Sequence, residues 1–130
     1  MRAAGTPAEA VGYATGMAVT GGLLFVSGQT PEGPRGLTSS DPEEQLRQIW
    51  RNVATVLSAA GLGFGAVVQV RTFLASRDYR DISSRIRRDV FGHHEPSLAV
   101  GICELYEAAW IAEIEVVAEL PAVSEPTSPS

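Results

Sequence analysis

Phe25-Val26-Ser27-Gly28-Gln29-Thr30-Pro31 and Ala112-Glu113-Ile114-Glu115 read as two strands of one sheet, because apolar, β-prone residues recur in each run and Pro31 closes the first. Each strand offers a polar residue, Ser27 or Glu113, where an apolar core has no use for one. Before the first run, Gly21-Gly22 separates the β-prone stretches 14–20 and 23–27, which predicts a hairpin with a two-residue turn. Residues 30–40 are rich in Pro, Gly, Ser and Thr and read as a surface loop. Asp41 then offers an N-cap oxygen, Pro42 suits the first helical position, and Glu43 and Glu44 favour the positive end of a helix dipole. Leu46, Ile49, Trp50, Val53, Val56, Leu57 and Ala60 recur at helical spacing as far as Gly61, a natural C′ residue.

Farther along, Val67 to Leu74 predicts a strand whose apolar start suits a central position. Residues 78–91 turn helical, with Tyr79, Ile82, Ile86 and Val90 on one side and a solvated arginine face on another. Strands are predicted at 97–105 and 110–120, and the Pro- and Ser-rich stretch 121–130 reads as a disordered tail. The expected order is β-β-α-β-α-β-β in a single domain over 1–120: an α+β fold with one mixed sheet and two helices on one face. The other face keeps apolar residues on both parities of strand 99–105, so it is expected to pack on further copies of the chain as a homo-oligomer.

Composition narrows the partners. A 130-residue chain that is 45% apolar buries one core. Its net charge of -5 provides no basic face for phosphates, so no nucleic-acid partner is expected. All 10 basic residues are Arg, which removes lysine Schiff-base chemistry and the P-loop lysine. The single cysteine, Cys103, cannot close an internal disulfide, and no signal-type or membrane-length apolar stretch is present; a cytoplasmic protein without a membrane partner is expected. His93 and His94 are adjacent and diverge, no cluster has ligand spacing, and neither a metal nor a cofactor is expected.

Gly12-Tyr13, Phe25 to Pro31, the helix ending in Ala59-Ala60-Gly61, Pro96 to Leu105, and Ala112 to Ala118, in that order, resemble the Rid/YjgF family, which includes the RidA enamine/imine deaminases. The resemblance covers about residues 8 to 120. It implies a chorismate-mutase-like subunit, a homotrimer, and ligand sites in the clefts between subunits. It also implies that Tyr13, Ser27 and the Gly28 amide line the cleft, and that Glu113 holds or activates water. The family's deaminases clamp the substrate carboxylate with an arginine in the strand after the second helix. Matching Ala99-Val100-Gly101 puts Ser97 at that place, and counting back from Glu113 puts Leu98 there; the Ser97 register is preferred. In either register the cationic fork is missing.

Read residue by residue, Glu113 is one of three carboxylates in strict alternation with Glu115 and Glu119, a pattern that by itself means exposed strand acids. A carboxylate in an apolar cleft, by contrast, holds its proton to higher pH and can shuttle protons near neutrality. Ser27 has no His–Asp relay and reads as a strand hydroxyl, so acyl transfer is not expected. Cys103 shares strand parity with Ser97, Ala99 and Gly101; it reads as a small buried hydrophobe or as a pocket wall. Arg71 reads as solvated or at a subunit edge. Tyr106 and Trp110 flank the connection between the last two strands and read as a pocket wall or as contact aromatics.

The expectation is a small-molecule enzyme that acts on an imine, enamine or carbonyl compound through Glu113 and Tyr13. Ser27, Gly28, Ser97 and Cys103 would line its cleft, and 2-aminoacrylate would not be the substrate. The alternatives are a non-catalytic trimeric binding module and a RidA-like deaminase with a substitute carboxylate-binding group. Ribonuclease activity, attached to relatives of the family, is opposed by the acidic chain and by the lack of a paired His base.

Overall fold

The computed structural model describes Ala14 and residues 16–122. The elements are β1 (Leu23–Gln29), α1 (Pro42–Ala59), β2 (Val67–Leu74), α2 (Arg80–Phe91), β3 (Ser97–Ile102) and β4 (Ala112–Glu119). The strands form one four-stranded mixed sheet in the order β1-β4-β2-β3. β4 runs antiparallel to both β1 and β2, and β3 runs parallel to β2. The apolar start of β2 thus leads, as expected, into an interior strand.

α1 forms where its caps and stripe dictate. The Asp41 carboxylate accepts the Glu44 N–H at 3.0 Å, and Pro42 opens the helix. At the other end Gly61 adopts φ +74°, a left-handed value that a side chain would disfavour. Leu46, Ile49, Trp50, Val53 and Leu57 are each 3% exposed or less. At roughly 1.5–3 kcal/mol for each fully buried large side chain, this stripe is a principal source of stability. It packs with Ile86 and Phe91 of α2 on the buried parity of the sheet: Val26, Val70, Leu74, Ala112, Ile114, Val116 and Ala118. Trp50, Phe64 and Phe91 meet edge to face, with centroids 5.2–6.0 Å apart.

The N-terminal hairpin is a correction. Residues 16–20 form no strand, and neither Gly21 nor Gly22 has the positive φ that a tight two-residue turn requires. The segment is instead held by the end of β4. The Glu119 carboxylate accepts the Thr20 and Gly21 N–H groups at 3.3 and 3.2 Å, and the Leu120 N–H reaches the Gly22 carbonyl at 2.8 Å. The long apolar ladder of β4 thus takes β1 as its partner. Ala14 forms an isolated parallel bridge to Ser97 on the opposite edge of the sheet. The last two strands are shorter than expected, and a 3-10 turn at Arg77–Tyr79 precedes α2. No helix among the described residues is long and apolar enough to cross a membrane. The tail expectation falls outside the described residues from 123 onward.

Candidate functional site

Both antiparallel strand junctions, β1–β4 and β2–β4, carry bulges, and these organise the open face of the sheet. Val26 pairs with Val116 and Gln29 with Ile114, so Ser27 and Gly28 together stand opposite Glu115. The extra residue brings the Gly28 backbone up to the side chain of Glu113. A Cβ added to Gly28 would collide with the Glu113 carboxylate: it would lie 2.9 Å from Cδ and 3.2 Å from Cγ, and nearer still to Oε1. Glu113 therefore lies flat across a position that only glycine leaves open. Ser27, exposed beside it, lines a shallow hollow of about 220 Å³ together with Phe25, Gln69, Arg71, Glu115 and Val117.

The neighbouring carboxylates have other engagements. Glu115 accepts from Arg71 at 3.3 Å, and Glu119 holds the turn at Thr20 and Gly21. Three acids that look equivalent in the sequence are thus separated by their contacts: Glu115 pairs with an arginine, Glu119 caps a turn, and Glu113 lies over Gly28.

A second bulge lies in β2, where Val67 pairs with Ala118 and Gln69 with Val117. Side chains from the approach to β3 take up its carbonyls. The Ser97 hydroxyl donates to the Val68 carbonyl at 3.0 Å, and His94 Nε2 lies 2.5 Å from the Val67 carbonyl. Ser97 pairs with Gln69, whereas Phe73, the partner of Glu113, pairs with Gly101. Ser97 and Glu113 of one subunit are thus separated by two strand spacings and four residues of rise, about 16 Å. Leu98 has the opposite parity and packs against the core. Cys103 is exposed, so its reading as a buried hydrophobe is corrected. It lies just past the last β3 residue, with its N–H on the Leu74 carbonyl at 3.0 Å. Tyr106 is 90% exposed in the single subunit. Tyr13 lies outside the described residues.

Two amides not anticipated from the sequence hold the rim. The Gln45 side chain, 2% exposed, donates to the Ser39 and Ala109 carbonyls at 2.7 and 2.9 Å and accepts the Ile111 N–H at 2.9 Å. One side chain thus ties the loop before α1 to the entry of β4, two residues ahead of Glu113. Asn52 donates to the Thr30 and Glu32 carbonyls, both at 2.9 Å, and fixes the exit of the Ser27–Gly28 bulge. The available signal was a polar residue beside each apolar stripe position: Gln45 precedes Leu46 and lies four before Ile49, and Asn52 precedes Val53.

Residues 4–120 match the family model described as Endoribonuclease L-PSP. A RutC family protein of Pyrococcus horikoshii is 31% identical over 103 residues, which cover 75% of this chain and 79% of that protein. A 2-iminobutanoate/2-iminopropanoate deaminase of Salmonella typhimurium is 34% identical over 65 residues, 49% of each chain. In the crystal structure of a Rid family protein of unknown function, YyfB of Yersinia pestis, the fold repeats with a TM-score of 0.81 at 23% identity, covering 92% of this chain and 96% of that one.

Proposed function

Since the chain belongs to the Rid/YjgF (endoribonuclease L-PSP) family, we propose that it is a small-molecule enzyme acting on an imine, enamine or carbonyl compound in clefts between the subunits of a cytoplasmic homotrimer. The observation that carries this reading is the Glu113 carboxylate laid over Gly28 on the open face of the sheet. It is a proton acceptor on an interior strand, held against the residue that follows Ser27 at the edge of the hollow. For an imine, water adds to the C=N carbon while Glu113 accepts its proton. Returning that proton to nitrogen gives a carbinolamine, and Glu113 then carries the carbinolamine hydroxyl proton to nitrogen, so that the C–N bond breaks, the amine departs and the carbonyl product remains. Enamine–imine tautomerisation needs the same carboxylate to move a proton between carbon and nitrogen. The Ser27 hydroxyl and the Gly28 backbone orient the substrate.

About 16 Å separates Ser97 from Glu113 along one sheet, too far for one small ligand to touch both within a subunit. If both residues meet one ligand, they come from neighbouring copies. Neither Ser97 nor the core-packed Leu98 is cationic, so a neutral substrate suits the site better than a 2-imino acid. The net charge of -5 does not favour RNA.

The test compares wild type with Glu113→Gln on a panel of neutral aldimines, ketimines and enamines and on 2-iminopropionate, following release of ammonia or amine. Turnover of a neutral substrate should fall about 100-fold or more in the variant. Ser97→Arg should gain activity on 2-iminopropionate, whereas Leu98→Arg should not. Equal turnover by Glu113→Gln would remove Glu113 from the mechanism. Fast deamination of 2-iminopropionate by the unmodified protein would restore the deaminase reading, and an inert panel would favour a ligand-binding module.

A further inference from the structure

The sheet face opposite the helices carries Phe25, 72% exposed, and a hollow with Val117 among its lining residues. The same hollow contains an ion pair. Arg71 and Glu115 are directly opposed on β2 and β4, with Nη1 3.3 Å from Oε1 and side chains 54% and 37% exposed. An exposed pair of this kind contributes only about 0–1 kcal/mol to its own subunit. It is also half used. Among the described residues, the other guanidinium N–H groups and the second Glu115 oxygen have no partner. Whatever covers the face must therefore meet an unfilled donor fork and an unfilled acceptor side by side. A polyanion or a uniformly basic protein would be attracted by one charge and repelled by the other, and an apolar partner would strand both. A second copy of this chain presents each charge with its complement.

We propose that Arg71 and Glu115 are the self-recognition element of the assembly: the Arg71 guanidinium of one copy reaches the Glu115 carboxylate of the next, closing a ring of alternating charge within an apolar interface. This rests on the homotrimer reading above and adds to it the residues that set partner choice. Like charges brought together in such an interface are strongly unfavourable, so the ring discriminates against surfaces that lack the pattern.

The experiment is light scattering coupled to size-exclusion chromatography, with circular dichroism to monitor folding. Wild type should have the trimer mass. Arg71→Glu and Glu115→Arg, each alone, should keep the native spectrum and fall to the monomer mass. The double exchange Arg71→Glu/Glu115→Arg should regain the trimer mass, because every junction of the ring then joins opposite charges again. If a single reversal does not fold, the neutral pair Arg71→Gln and Glu115→Gln replaces it, each expected to weaken assembly at least tenfold. A wild-type monomer would overturn the trimer reading and this proposal with it, leaving the face to solvent or to a different protein. A wild-type trimer whose folded single variants remain trimeric, or whose double exchange remains monomeric, would overturn the charge ring alone.

Discussion

Gly28→Ala tests the geometry of the site without assuming a substrate. The new Cβ would lie 2.9 Å from Glu113 Cδ and closer still to Oε1, where ordinary contact begins at 3.4 Å. Every conflicting atom belongs to the outer part of one flexible side chain, so the carboxylate swings aside and the backbone stays in place. The rotamer change costs about 0.5–1.5 kcal/mol. Replacing a glycine returns about 0.4–1 kcal/mol by restricting the unfolded chain. The net change in stability is therefore within about 1 kcal/mol, a few degrees in Tm for a chain of this size. The carboxylate, however, moves by about 1 Å, a misplacement that can cost on the order of 100-fold in turnover. Calorimetry, the carboxyl 13C shift of Glu113 and turnover together check the reasoning. An unchanged Glu113 resonance, or a Tm loss of ten degrees, would refute it, because the clash would then be absorbed by the strand.

Gln45→Leu should cost about 2–4 kcal/mol, read from chemical denaturation, since it leaves the buried Ile111 N–H without its acceptor and releases the Ser39 and Ala109 carbonyls. Hydrogen exchange at Ile111 should rise in the same variant. The Arg85 guanidinium at 2.8 Å, together with Arg47, holds the Glu43 carboxyl below the ordinary carboxylate range. A depressed folded-state pKa contributes stability above the unfolded value that is lost as pH falls through the folded value. The Tm difference between wild type and Glu43→Gln should therefore be small at neutral pH, shrink in high salt, and vanish on acidification.

Local signals read correctly from the sequence where the residues act locally. Asp41, Pro42 and Gly61 bounded α1, and the stripe from Leu46 to Leu57 identified the face that would be buried. The hairpin failed because Gly21-Gly22 says that a turn is possible, not that 14–20 is the partner the next strand prefers. β4 competes for the same backbone edge and wins through a ladder from Leu23 to Gln29. The bulges were invisible for a related reason: Ser27-Gly28 and Val67-Val68 become irregular only against the register of a distant strand. The contacts that distinguish Glu113 from Glu115 and Glu119 likewise arise across strands. No spacing within residues 112–119 encodes them.

The β1 bulge has a consequence for how this chain can change. Ser27 is one residue more than the ladder requires: without it, Val26 would still face Val116 and Gln29 would still face Ile114, with Gly28 directly opposite Glu115. A deletion there therefore regularises the strand and turns no side chain from core to solvent, unlike a register slip elsewhere in the sheet. What such a deletion would remove is the apposition of Gly28 and Glu113. The surplus residue leaves the architecture free to exist with or without that pairing, so the pairing can be lost in a single step without unfolding the protein.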